Sequence, residues 1–250
     1  MKKVILEICC GDVAGVVAAV KGGADRVELC SALGEGGLTP SAGAISEAVG
    51  LGIPVNVLIR PRRGDFVYTP EEVECMMSDI RFCAGAGVNG VVLGALTPDG
   101  DVDEKALRRM VAEATGMEMT FHRAIDVCRS PEEALETAVR LGFDNILTSG
   151  MKSNALDGAV NIGRLVDLAK GRIRIIAGCG VNPGNAAEII RISGADAIHS
   201  SCSMSVRSGM RFRRAEVHMG NDGDEYVHNT VDVHKVLALR SIVDGNVKDN

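Results

Sequence analysis

The chain alternates short apolar runs with longer stretches of mixed polarity. The runs are Val4–Cys10, Arg26–Cys30, Val55–Pro61, Val91–Leu96, Met119–Ile125, Asn145–Gly150, Arg174–Gly180 and Ala197–Ser201. Each is rich in Val, Ile or Leu, as buried parallel strands are. Between them, Val13–Val20 and Pro131–Leu141 carry helical spacing. The second opens with Ser130 as N-cap, Pro131 at the first helical position and Glu133 at the third, a capping box with a proline start. Gly22-Gly23, Gly85, Gly142 and Gly194 are placed to end helices in a left-handed cap. The junctions Gly22-Gly23-Ala24-Asp25, Gly85-Ala86-Gly87-Val88-Asn89, Leu141-Gly142-Phe143-Asp144 and Ser193-Gly194-Ala195-Asp196 are near copies of one another. Each sets an acidic or amide residue just before a strand.

Eight such units in 250 residues match the strand count and the length of a (β/α)8 barrel. A doubly wound sheet is the competing arrangement, and the repeated junctions favour closure. The pattern predicts one domain over residues 1–250, with a long polar connection at about 215–229 before a last helix, Thr230–Val243. Within that connection Asn221-Asp222-Gly223-Asp224-Glu225 reads as an exposed loop.

Composition narrows the function. A net charge of −6, 3% aromatic residues and no Trp leave neither the basic surface nor the stacking groups of a nucleic-acid binder. No run approaches the roughly 18 apolar residues of a membrane helix, and Met1-Lys2-Lys3 is not followed by a signal-peptide core before Glu7 and Gly11-Asp12 break it. The 8 cysteines are scattered, at positions 9, 10, 30, 75, 83, 128, 179 and 202. Free thiols in a reducing cytoplasm are therefore expected.

In barrels of this type the chemistry gathers at the C-terminal ends of the strands, and here those ends are polar. By period-two alternation Glu7 and Cys9 share a face of the first strand, and Glu28 and Cys30 share a face of the second. Arg60, Arg62 and Arg63 end the third. The fifth carries His122, Arg123 and Asp126, the sixth Thr148 and Ser149, and the eighth His199, Ser200 and Ser201. A purely structural reading pairs Glu7 and Glu28 with Arg60. Charges on so many strand ends fit a polar pocket better, because unpaired buried charge is costly. Gly178 and Gly180, with Ser200 on the next strand, could turn N–H and hydroxyl groups toward a phosphate at the start of the seventh helix. The competing reading is a tight turn that only needs glycine. No lysine lies on a strand beyond Lys3, so the barrel wall offers no Schiff-base nucleophile. No His-x-His, His-Glu-x-x-His or Cys-x-x-Cys spacing is present, so there is no local zinc motif.

Several motifs closely resemble the CutC family of copper-homeostasis proteins. They include Leu6-Glu7-Ile8-Cys9, Asp25-Arg26-Val27-Glu28-Leu29-Cys30-Ser31, Glu35-Gly36-Gly37-Leu38-Thr39-Pro40, Ile59-Arg60-Pro61-Arg62, Thr120-Phe121-His122-Arg123-Ala124 and Leu147-Thr148-Ser149-Gly150. The resemblance runs in order to about Gly220. It implies a TIM-type barrel, a cytoplasmic homo-oligomer and a role in handling copper. Cys9 and Cys30 fall on family cysteine positions, and Glu7, Glu28, Arg60, His122 and Arg123 on its pocket motifs. Cys179 stands where the family has glycine, and Cys10, Cys128 and Arg63 are further departures.

Two functions follow as expectations. Cys9 and Cys30 are the expected metal ligands, roughly 5 Å apart on adjacent strands and suited to copper(I), which prefers soft thiolates. Buried cysteines acting as small hydrophobes are the competing reading. The alternative function is an enzyme acting on a small anionic metabolite, phosphorylated ones included. Arg60, Arg62 and Arg123 would grip the anion, and Glu7, Glu28, His122, Asp126 and His199 would supply acid–base groups. A barrel retained as an interaction scaffold is a third, weaker reading. His122 is the expected centre, its ring projecting inward with Thr120 and Ala124 on its face. His199 is its competitor, and His218, His228 and His234 lie in the tail.

Overall fold

The computed structural model describes residues 3–214, 216, 217, 219 and 224–245. Eight parallel strands close into a barrel: β1 Ile5–Cys10, β2 Arg26–Leu29, β3 Val55–Leu58, β4 Gly90–Leu93, β5 Glu118–Phe121, β6 Asn145–Thr148, β7 Arg174–Ala177 and β8 Ala197–Ser200. Helices α1 Val13–Lys21, α2 Ala42–Val49, α3 Pro70–Ala86, α4 Glu104–Glu113, α5 Pro131–Leu141, α6 Ala159–Ala169, α7 Ala186–Ser193 and α8 Val233–Val243 surround it. The (β/α)8 expectation holds. Residues buried on the outer faces of the strands, such as Leu6, Ile8, Val27, Leu29, Val57 and Ile175, form one continuous core with the helices. None of the described helices is long and apolar enough to cross a membrane.

The repeated junctions have a concrete role. At the N-terminal rim, N–H groups of three strands are satisfied by the side chain of the aspartate that precedes the next strand. Asp25 accepts from Leu6 N–H on β1, Asp144 from Met119 N–H on β5, and Asp196 from Ile175 N–H on β7, each at 2.8 Å. Asn89 occupies the corresponding place before β4, but its amide turns inward, donating to Asn56 and Glu118. Satisfying such donors is what makes a closed rim tolerable.

The floor of the barrel is a charged plug. Arg26 donates from Nε to Glu7 at 2.5 Å and from Nη1 to Glu118 at 2.7 Å. Glu118 also receives Asn145 at 2.7 Å and Arg174 at 2.6 Å. The pairing of Glu7 and Glu28 with Arg60, the competing structural reading, is not found among the described residues. Arg26 is the partner of Glu7, because the ladder sets the two Cα atoms side by side.

Three sequence expectations are corrected in detail. Helix α3 continues through Gly85 and ends at Gly87, whose φ of +75° makes it the left-handed cap. Ser130 caps α5 as expected by accepting from Glu133 N–H, but the complete reciprocal capping box belongs to Thr69 and Glu72 on α3. The last helix starts at Val233, not Thr230. Asp232 caps it, and the β-branched residues before it form a strand, β10 Val227–Val231, antiparallel to β9 Ser203–Arg207. The long connection thus contains a hairpin, tied to α1 by the Thr230 hydroxyl donating to Asp12 at 3.0 Å. Of the polar loop expected there, Asn221, Asp222 and Gly223 lie outside the described residues, as does His218.

The Arg26, Arg174, Asn145 and Asn89 groups hold the Glu118 carboxyl below its ordinary range, although burial opposes them. A lowered carboxyl pKa stabilises the fold above its unfolded-state value, and that contribution is lost as the pH falls through the folded-state value. Glu118→Gln is therefore expected to lower stability by about 2 kcal/mol at pH 7. In urea denaturation the difference from the parent protein should shrink steadily as the buffer is acidified through the carboxylate range. A difference that stays constant with pH would contradict this role.

Candidate functional site

The inward-facing residues past the plug line a cavity of about 400 Å³ at the C-terminal mouth. Its walls include Cys9, Glu28, Cys30, Arg60, His122 and His199. Arg123, Asp126, Gly180 and Ser200 also border it. Glu7 lies one layer deeper.

Barrel closure builds the polar wall. Strand β1 pairs with β2 on one side and β8 on the other, so Glu7 is flanked by Arg26 and His199 and Cys9 by Glu28. His199 Nδ1 lies 2.7 Å from Glu7 Oε1. Cys9 Sγ lies 3.6 Å from Glu28 Oε1 and 3.8 Å from Cys30 Sγ, and Cys30 Sγ contacts the Cys10 carbonyl at 3.6 Å. The ligand atoms of Cys9, Glu28 and His199 all lie within 4.8 Å of one another. Glu28 Oε2 is buried without a hydrogen-bond partner among the described residues.

The charges are coupled through these contacts. Burial opposes ionisation of Glu7, but the Arg26 charge and the bonds from His199 and Arg26 outweigh it and hold the carboxyl down at about 2. Burial likewise opposes the His199 imidazolium, and the Glu28 and Glu7 carboxylates overcome it, so the His199 pKa is raised. Glu28 has no such anchor, and burial pushes its carboxyl up. The contact with Cys30 and burial push the Cys9 thiol well above its usual range.

The arginines expected to grip an anion are otherwise engaged. Arg60 is buried, and its guanidinium donates to the carbonyls of Glu35, Gly37 and Gly64 at 3.1, 3.0 and 2.8 Å. Thr39 completes the clasp by accepting from Arg60 N–H at 2.9 Å. Gly36 and Gly37 both have positive φ there. A Cβ on Gly36 would stand 3.0 Å from Arg60 Nη1, and one on Gly37 2.7 Å from Leu58 Cδ2. The motif residues 35–39 and Arg60 are thus one loop clasp. Arg62 is bound to Glu72, Asp65 and nearby carbonyls. Arg123 is the more open cation at the mouth, held by Asp126 at 2.7 Å and Ser149 at 3.0 Å.

The expected phosphate turn is also altered. Helix α7 begins at Ala186, well beyond Gly178-Cys179-Gly180, so the turn is not a helix N-terminus. Gly178 N–H donates to the Thr148 carbonyl at 2.9 Å. The Ser200 hydroxyl donates to the Val181 carbonyl at 2.6 Å and accepts from Cys202 N–H at 3.2 Å. A Cβ at Gly178 would meet Leu147 Cδ1 at 2.5 Å, which is the packing reason for glycine.

His122 follows β5, which ends at Phe121, and the chain then curls into a 3-10 turn, Arg123–Val127, instead of continuing the strand. The turn forms because His122 Nδ1 accepts from Ala124 N–H at 3.2 Å. Ala124 therefore does not share the inward face expected for it. The ring remains inside, packed 4.7 Å from the Phe66 ring, with its Nε2 buried and unpartnered among the described residues. Burial and the Arg60 charge push its pKa down to about 3. It is apart from the cysteine, glutamate and His199 cluster. Sequence reasoning put Cys9, Glu28 and His199 at the same mouth, but paired Cys9 with Cys30 as metal ligands and assigned Glu28 and His199 to acid–base chemistry. The signal that finds them is the adjacency of the first and last strands in a closed barrel.

Asp126 is a strut. It accepts from the Thr148 hydroxyl at 2.5 Å, from Ser149 N–H at 3.0 Å and from Met151 N–H at 3.2 Å, besides Arg123.

Two outcomes check this description. Asp126→Ala should destabilise the fold by about 2–4 kcal/mol, since it strips charge-assisted partners from a buried loop; an unchanged urea midpoint would contradict it. His122 should stay neutral, so its imidazole nitrogen shifts should not move between pH 5 and pH 8 in heteronuclear NMR. A titration near the ordinary histidine value would show that the ring is not buried as described.

The sequence profile of the CutC family matches residues 4–204. A CutC family protein of Chromobacterium violaceum is 47% identical over 242 residues, covering 96% of this chain and 98% of its own. The human copper homeostasis protein cutC homolog is 44% identical over 241 residues, covering 95% and 88%. A crystal structure of CutC from Streptococcus agalactiae superposes with a TM-score of 0.76 at 33% identity, over 79% of this chain and 98% of that one. Thiamine phosphate pyrophosphorylase from Pyrococcus furiosus, 18% identical with a TM-score of 0.59 over 99% of this chain and 98% of its own, shares the fold alone. With its motifs and its barrel both matched across most of its length, this chain belongs to the CutC family.

Proposed function

We propose that the protein serves copper homeostasis by holding copper(I) as cargo between Cys9 and Cys30 at the barrel mouth. The observation that carries this reading is the pair of sulfurs 3.8 Å apart on the wall of an open cavity. Thiolates are the ligands copper(I) selects. The human relative is named for copper homeostasis, which supports the same reading. The pattern of hydrogen bonds agrees. Glu28 and the thiols face the cavity, whereas both terminal nitrogens of Arg60 and the donors of Arg62, Gly178 and Ser200, which an anion would need, are bound to the protein itself; Arg60 Nε, buried, has no partner among the described residues. A cation is therefore favoured over a small anionic metabolite, for which Arg123 is the main remaining grip.

None of the 8 cysteines is in a disulfide, which suits a reducing cytoplasm. The homo-oligomer implied by the family is part of the proposal, and sedimentation tests it.

Chelator competition tests the copper site. Cys9→Ser and Cys30→Ser should each weaken copper(I) binding by more than about 100-fold, since each removes one of the two soft thiolates that copper(I) prefers. Retention of parental affinity by both variants would exclude the pair. A thermal-shift comparison separates the readings: stabilisation by copper(I) is expected. Stabilisation by phosphorylated or carboxylate metabolites instead would favour the enzyme.

A further inference from the structure

We infer that the barrel mouth carries a second metal site, for a divalent ion of the zinc type, formed by Cys9, Glu28 and His199. It shares Cys9 with the copper pair but does not depend on copper binding. Cys30, although 3.8 Å from Cys9, is not one of the three groups that converge within 4.8 Å.

One ligand pair already stands at the spacing of a tetrahedral centre, and the third group lies within 4.8 Å of both. An ion with sulfur at about 2.3 Å and oxygen at about 2.1 Å sets those two ligands about 3.6 Å apart. Cys9 Sγ and Glu28 Oε1 stand 3.6 Å apart. The other oxygen of Glu28 is buried and has no partner among the described residues, so the side chain is only half satisfied by the protein. At 5% exposure, a carboxylate in that state needs a cation or a proton.

The imidazole is oriented as metal-bound histidines are. Its Nδ1 faces Glu7 at 2.7 Å, which leaves Nε2 as the coordinating nitrogen. Glu7 is in turn anchored by Arg26 at 2.5 Å. A carboxylate behind a histidine fixes the ring and raises its basicity as a ligand, the usual outer shell of a zinc site. Glu7 is thus a positioning residue rather than a ligand.

The donor set decides the class of ion. One thiolate, one imidazole and one carboxylate suit a borderline divalent cation, whereas copper(I) prefers the two thiols. Three protein ligands leave the fourth tetrahedral position to a water or small molecule entering from the cavity, as in catalytic rather than structural zinc sites. The chain has no local zinc spacing because the ligands come from three strands joined by closure: β1, β2 and β8.

Cobalt(II) reports such a site directly. Titrated into the metal-free parent protein, it should give intense tetrahedral visible bands and a near-ultraviolet sulfur-to-cobalt band, both removed by zinc(II). Glu28→Gln and His199→Gln should weaken cobalt(II) binding by more than about 100-fold, and Glu7→Gln by about 10- to 100-fold. Copper(I) affinity in the Glu28 and His199 variants should stay near the parental value, with circular dichroism confirming the fold. Cys30→Ser should do the reverse, losing copper(I) and keeping the cobalt spectrum. Should the Glu28 and His199 variants fail to fold, Cys30→Ser decides alone. Weak octahedral bands without a sulfur band in the parent protein would overturn the site. So would parental cobalt affinity in both folded variants, or loss of the cobalt spectrum in Cys30→Ser. A parent protein that binds cobalt(II) with this spectrum but not copper(I) would remove the copper reading and leave this one standing.

Discussion

The pairing of the eighth strand with the first governs this structure. Parallel ladders place inward residues of neighbouring strands at matched heights, so joining β8 to β1 sets His199 beside Glu7, while β2 supplies Arg26 and Glu28 from the other side. Four ionisable groups from three strands meet where water is scarce. Their arrangement is tolerable because Arg26 neutralises Glu7 and Glu7 orients His199. An open sheet with the same sequence would leave His199 and Glu7 on opposite edges, and neither the buried network nor the cluster around Cys9 would form.

The polar residues at the mouth divide into builders and facers. Arg60 clasps the loop carrying Gly36 and Gly37, and Asp126 gathers the start of the loop after β6. Both are charged and close to the cavity, yet their hydrogen-bonding capacity is largely directed into the protein. Cys9, Cys30, Glu28 and His199 have fewer protein partners and point their donor atoms at one another. Charge near a cavity is therefore a poor guide to function until the partners of each group are counted. The fold adds little to that decision, because the same barrel serves a thiamine phosphate pyrophosphorylase at 18% identity.

His122 shows the same distinction in one residue. Its Nδ1 is committed to the turn it caps and Phe66 packs on its ring, so the most conspicuous histidine of the sequence is a buried, neutral group of the cavity wall whose Nε2 has no partner among the described residues. His199, by contrast, has its pKa raised, because the Glu28 and Glu7 carboxylates outweigh its burial. The two differ by their neighbours, not by their own chemistry.

Much of the fold was legible in the sequence. Short β-rich runs, helical spacing and repeated junctions imposed eight βα units, and period-two alternation turned Glu7, Cys9, Glu28 and Cys30 inward. These are local rules, decided by a few neighbouring residues. Tertiary structure alone decided what lay across the chain: that Arg26 and not Arg60 answers Glu7, that Thr230 joins a hairpin and not a helix, and that His199 completes a cluster with Cys9 and Glu28. Sequence spacing is blind to such contacts because a residue's partner is set by strand order and register. In a closed barrel the first and eighth strands are neighbours, and no local pattern of apolar and polar positions records which atoms that closure brings together.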